Sequence, residues 1–227
     1  MGTDGSSFVI GIPVFDGMDL MDVAAPREVF SWMGESWSAR GPVEIKLVAE
    51  DVGLVTTRDG TRILPDATFC QVPRVDLMWV PGGEYAVMQA QAANEAFVEA
   101  LRAWAADALY VTSVCEGALI LAGAGLLNGY CATTHWAVLE CLRTYPEVDV
   151  QGGPGDLPRF VVDAGDGLGA VRVTGGGISS GLDEALELVR LIAGETIAEG
   201  VQQTIQYFPN PPVSAPLPTP GPCPPQA

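Results

Sequence analysis

The chain predicts an α/β fold built on a mostly parallel sheet, and three observations carry that reading. Short apolar runs with strand character alternate with longer segments whose apolar residues recur at helical spacing, the pattern of strands joined by crossover helices. One of these runs, Tyr110 to Val114, passes at Cys115 straight into the small-residue segment Glu116-Gly-Ala-Leu-Ile-Leu-Ala-Gly123. The 227 residues suit one substantial domain followed by a tail.

Taken in order, Phe8-Val-Ile-Gly-Ile-Pro-Val14 reads as a buried first strand. Asp19 to Met33 reads as a helix in which Pro26 marks a start or a kink. Val43-Glu-Ile-Lys-Leu-Val-Ala49 alternates cleanly and makes the next strand, and Gly53 to Phe69 suggests a hairpin around Asp59-Gly60. Asp76-Leu-Met-Trp-Val80 is another buried strand, closed by Pro81-Gly82-Gly83. The helix after it carries Phe97, Val98, Leu101, Trp104 and Ala105 on one face. Beyond Cys115 a helix ends near Gly125, and Thr133 or Thr134 is placed to cap a helix running to about Arg143. Phe160 to Val162 and Ala170 to Val173 pair as a hairpin, and Leu182, Ala185, Leu186, Val189, Ile192 and Ala193 form the face of a further helix. Residues 1–208 thus make one α/β domain. In 209–227 nine of nineteen residues are proline, which excludes a helix or a central strand. This tail is expected to lie extended over its own domain or a sister subunit.

Charge and cysteine usage narrow the function. The formal net charge is −17, from 28 acidic and 11 basic residues, which disfavours nucleic acid and anionic membranes as partners. No apolar run reaches membrane-spanning length, and residues 1–7 lack the basic start of a signal peptide. Five cysteines without CxxC spacing argue against a disulfide framework or a zinc site and for a reducing cytoplasm. Cys70, Cys131, Cys141 and Cys223 are expected to fill space or lie in loops. One histidine and no clustered ligands leave no metal site in view.

Cys115 is different. A nucleophile at the apex of a sharp strand-to-helix turn, with small residues two positions away on either side (here Ser113 and Gly117), is the arrangement of a nucleophile elbow. A helix N-terminus there favours thiolate. The loops after Val80, Val114 and Val173 all fall at the carboxyl ends of strands, where open α/β sheets bind ligands. Gly82 and Gly83 are placed to present N–H groups to a developing anion. Gly175-Gly176-Gly177 lacks GxGxxG spacing, so no dinucleotide site follows from it. His135 is the sole histidine, so any Cys–His pair must use it; with no third orienting residue in view it takes a structural or pocket-edge role, general base being the alternative. Asp16, Asp19, Asp22 and Glu28 cluster near the first helix, and their spacing alone does not choose among them.

Val111-Thr-Ser-Val-Cys-Glu-Gly117, Ala132-Thr-Thr-His-Trp136 and Thr174-Gly-Gly-Gly-Ile-Ser-Ser-Gly-Leu-Asp183 resemble the ThiJ/PfpI superfamily, related to class I glutamine amidotransferase domains, and within it the isocyanide hydratase branch. The likeness runs from about Phe8 to Pro212. It implies a flavodoxin-like three-layer sandwich, a homodimer, no cofactor and a small electrophilic substrate. It assigns the nucleophile to Cys115 and the acid to Asp22, which lies four residues before Pro26. Isocyanide hydratases carry a threonine directly after the nucleophile and protease-like members a histidine. This chain has Glu116, which only accepts hydrogen bonds when ionised. The implied reaction is hydration of an isocyanide to an N-substituted formamide through a thioimidate on Cys115. Asp22 or Glu116 would position water, and Ile178 with apolar neighbours would line the pocket. Two alternatives share the residues: a glyoxalase- or deglycase-like enzyme acting on small aldehydes, in which Glu116 shuttles protons, and a non-enzymatic oxidation sensor at Cys115.

Overall fold

The computed structural model describes residues 7–37 and 41–224, so residues 1–6, part of the segment 1–7 that lacks the basic start of a signal peptide, lie outside the described residues. A seven-stranded sheet runs in the order β10-β11-β7-β6-β1-β2-β5, formed by β1 (Phe8–Pro13), β2 (Val43–Ala49), β5 (Ala67–Thr68), β6 (Leu77–Val80), β7 (Tyr110–Ser113), β10 (Phe160–Asp163) and β11 (Val171–Gly175). Every neighbouring pair is parallel except β10 with β11, the hairpin expected from the two valine-rich runs. Helices α1 (Leu20–Ser36), α6 (Ser180–Ala193) and α7 (Glu195–Thr204) pack together on one side. On the other pack α2 (Tyr85–Ala93), α3 (Glu95–Asp107), α4 (Gly117–Gly123) and α5 (Leu139–Leu142). The result is a three-layer sandwich, with Trp79, Trp104, Phe30 and Phe97 its largest fully buried side chains. No described helix is long and apolar enough to cross a membrane.

The central strands β1 and β6 are buried and read as apolar runs, while β7 buries the polar Thr112 and Ser113, the Thr112 hydroxyl donating to Met78 O at 2.8 Å. The expected hairpin around Asp59-Gly60 forms from β3 (Val55–Thr56) and β4 (Arg62–Ile63). On α3, Phe97, Val98, Leu101 and Trp104 are buried as their spacing predicts.

Four local expectations need correction. The segment after Gly83 is two helices, because Asn94 ends α2 and its side chain accepts a hydrogen bond from Phe97 N–H to start α3. Thr133 and Thr134 cap nothing. They sit beyond the short strand β8 (Cys131–Ala132), which pairs with β9 (Asp149–Val150), and a 3₁₀ turn at Trp136–Val138 precedes α5. On α6 the buried stripe is Ser180, Gly181, Glu184, Ala185, Leu188 and Val189, rotated from the expected face, of which Leu182, Leu186, Ile192 and Ala193 are only partly buried. Finally, Cys141 and Cys223 form a disulfide across 82 residues. It ties the proline-rich segment to α5 and sets Cys223 Sγ 3.1 Å from the Tyr85 hydroxyl. Spacing along the chain could not reveal that pairing, and such bonds are rare in a reducing compartment.

The turn out of β7 has little room. A Cβ on Gly117 would stand 2.3 Å from Val80 O and 2.9 Å from Pro81 O, both backbone atoms that cannot swing aside. Gly117→Ala is therefore expected to destabilise the fold by about 1–3 kcal/mol, the usual range for overpacking. Urea denaturation of the variant measures it, and an unchanged midpoint would show that the elbow has slack.

Candidate active site

Cys115 sits where β7 turns into α4, with φ at +57°, in the left-handed region that non-glycine residues rarely occupy. Two backbone hydrogen bonds hold it there. Val114 N–H donates to Val80 O at 3.1 Å, and Cys115 N–H donates to Gly176 O at 2.8 Å. The Thr134 hydroxyl donates to Cys115 O at 2.8 Å, and Thr133 N–H donates to Thr174 Oγ1 at 2.8 Å. The two threonines thus lash the His135 loop to the elbow and to β11. The loops after β6, β7 and β11 converge because these strands are parallel neighbours in the sheet.

Asp22 comes from the first turn of α1, and its placement depends on Pro26. Proline has no N–H, so the carbonyl four residues earlier, that of Asp22, receives no helical hydrogen bond. The Trp79 indole N–H supplies one instead, at 2.9 Å. Asp22 Oδ2 accepts from Gly82 N–H at 2.9 Å, while Oδ1 is buried with no partner among the described residues. Burial pushes the Asp22 carboxyl up to about 8, with Asp19 and Glu116 adding to the shift and the Gly82 N–H opposing it. The other candidate acids are engaged elsewhere. Asp16 accepts from Thr56 N–H, Asp19 pairs with Arg58, and Glu28 accepts from Trp32.

Sulfur and carboxyl groups meet closely. Cys115, Asp22 and Asp19 each place one donor atom within 4.8 Å of the others, and so do Cys115, Glu116 and His135. Cys115 is only 1 % exposed, so the thiol is shut in, but acidic side chains face it rather than hydrocarbon alone. Burial, and then the Asp22 and Glu116 charges, raise the thiol well above its ordinary range; the Glu116 N–H opposes them. The expected stabilisation of thiolate by the helix N-terminus is overridden: α4 has only seven residues, and burial, with carboxyl groups close by, works against a charge on the sulfur.

The remaining residues fall into place with some corrections. Gly82 does not offer its N–H to an anion, because Asp22 takes it. Gly83 lies where backbones cross, its Cβ position only 2.5 Å from Gly17 O, so both glycines serve the framework. His135 Nδ1 stands 3.3 Å from Glu116 Oε1. Its ring rests on Gly177, where a Cβ would come within 2.7 Å of Cδ2. Ile178 is half-buried in the turn between Gly177 and α6, next to the residue that supports His135. A further acid lies beneath. Glu184 of α6 is fully buried, both its oxygens lack partners among the described residues, and Oε2 occupies the space that a Gly175 side chain would need. Burial, followed by the Asp22 charge, raises its carboxyl well above the usual range. The one signal for it in the sequence was its spacing, four residues from both Ser180 and Leu188 on the buried stripe.

A mostly parallel α/β sheet whose central strand turns into a helix at a buried cysteine set between acids defines the class of protein. A family model described as DJ-1/PfpI family matches residues 9–166. The chain belongs to the DJ-1/PfpI family. It is 35% identical over 213 residues to the isonitrile hydratase of Pseudomonas putida, covering 94% of this chain and 84% of that protein. The crystal structure of a ThiJ/PfpI family protein from Pseudomonas syringae superposes with a TM-score of 0.79 at 32% identity, covering 92% of this chain and 79% of that one. Drosophila melanogaster DJ-1beta superposes with a TM-score of 0.74 at 18% identity, over 88% of this chain and 98% of that one, a likeness of fold alone.

Proposed function

We propose that the protein hydrates isocyanides to N-substituted formamides, with Cys115 as nucleophile and Asp22 as acid. The observation that carries this reading is Asp22: a buried carboxyl beside the thiol, protonated below about pH 8 and held by Trp79 and Gly82. The relative named isonitrile hydratase supports the choice of substrate.

In this scheme the Cys115 sulfur bonds to the terminal carbon of R–NC. Its proton passes to Glu116, and Asp22 delivers a proton to that same carbon, giving the thioimidate Cys–S–CH=N–R. The Asp22 carboxylate then takes a proton from water as the oxygen adds to carbon, and Glu116 returns its proton to nitrogen. The C–S bond breaks, the hydroxyl proton goes to sulfur, and R–NH–CHO leaves with all three residues restored. Isocyanide loss and formamide gain, followed in wild type beside Cys115→Ala, test the proposal. Turnover no faster than in the variant would end it.

Glu116, where isocyanide hydratases have threonine, favours one second reading. A carboxylate beside a thiol hemithioacetal can shuttle the proton that isomerises a 2-oxoaldehyde. Lactate formed from methylglyoxal, without formamide from isocyanide, would select it.

A further inference from the structure

His135 takes no part in the reaction above, yet its Nδ1 is buried and lacks a hydrogen-bond partner among the described residues. Glu116 Oε2 is in the same condition. Nδ1 and Glu116 Oε1 stand 3.3 Å apart without hydrogen-bond geometry. Buried polar atoms left unsatisfied at close quarters call for a missing partner. Two ligands each about 2.0–2.1 Å from a tetrahedral ion stand roughly 3.3–3.4 Å apart, which is the separation observed here. A donor atom of Cys115 completes the set, all three lying within 4.8 Å of one another.

We propose that Cys115, Glu116 and His135 form a three-ligand site for a borderline-soft divalent cation, of which Zn²⁺ is the type, and that its occupancy blocks Cys115. Sulfur, imidazole and carboxylate together suit zinc, whereas magnesium and calcium take oxygen ligands. The sequence scatters these residues over twenty positions; the lashing of the His135 loop by Thr133 and Thr134 gathers them. The same hydrogen bonds, with Gly177 packed against the imidazole, fix the loop that carries His135. Binding breaks the Cys115 S–H bond, forms S–metal, and releases the proton to solvent; water fills the fourth position. Entry is from the imidazole side, since the His135 side chain is 21% exposed and that of Glu116 12%. A sulfur so engaged can neither attack carbon nor be alkylated.

Cobalt(II) tests the site without any isocyanide, so the outcome is independent of the proposed reaction. Titrating Co²⁺ into chelator-treated protein should produce a thiolate-to-cobalt charge-transfer band and tetrahedral visible bands at one equivalent, displaced by Zn²⁺. Cys115→Ser should abolish the charge-transfer band. Glu116→Gln and His135→Ala should each weaken affinity at least tenfold, with circular dichroism confirming that the variants fold. Cys70→Ser and Cys131→Ser should change nothing. Zn²⁺ should also protect Cys115 from iodoacetamide. The proposal is overturned if no band appears, if the band survives Cys115→Ser or follows Cys70 or Cys131 instead, or if neither Glu116→Gln nor His135→Ala alters affinity.

Discussion

Cys115→Ala is expected to show no isocyanide turnover, whereas Asp22→Asn should retain a small residue of it, with kcat reduced about 10²–10⁴-fold, the usual worth of a positioned general acid. The two differ because one removes the atom that bonds to carbon and the other removes only its proton supply. Asparagine keeps an oxygen for the Gly82 N–H, and the Trp79 indole bonds the backbone, so the variant should hold its shape. KM should change little, since the carboxyl acts in the transition state. The pH profile separates this from a structural effect. In wild type the donor is the protonated carboxyl, so activity should fall as pH rises through about 8, and that limb should vanish in Asp22→Asn. A variant with wild-type kcat would place the proton source elsewhere.

Glu184→Met should stabilise the protein, and by more at pH 8 than at pH 5. Removing a buried carboxyl with two unpartnered oxygens is worth about 1–3 kcal/mol even while the group is neutral. The pH dependence follows from linkage. The carboxyl has its pKa raised in the folded chain, from 4.5, so above that value the fold holds a proton that the unfolded chain has lost. Rising pH then favours unfolding, by up to about 1.4 kcal/mol per unit for the one group. Methionine has no proton to hold and escapes that loss. Asp22, raised from 3.8 to about 8, gives a slope of the same sign in both proteins. Urea denaturation at the two pH values, with a chelator present, measures the gain. An equal gain at both would mean that Glu184 ionises at the same pH whether folded or not.

The features that were legible in the sequence are those carried by neighbours along the chain. The strand-to-helix turn at Cys115 is one, because Ser113, Cys115 and Gly117 lie within five residues and strand and helix meet there. The buried strands are others, since parallel strands covered on both faces are apolar without interruption. Asp22 is singled out only by the family resemblance; the spacing and composition of that segment allow Asp16, Asp19 or Glu28 as well. What stayed hidden depends on distance through space. Reading the apolar face of α6 from hydrophobic residues passes over Glu184, since a carboxyl on that stripe counts against burial. Nothing around Gly82 in the sequence tells that Asp22, sixty residues earlier, accepts its N–H, and nothing near Cys141 hints at Cys223.

The proline in α1 has a consequence for anyone wishing to graft this acid into another scaffold. Its four-residue offset from the aspartate matches one step of the helical ladder, so neither can be moved alone. A transplant that carried only the carboxyl would let its main chain bond back into the helix and leave the tryptophan indole orphaned. The smallest portable unit is three side chains from two separate elements, Asp22, Pro26 and Trp79.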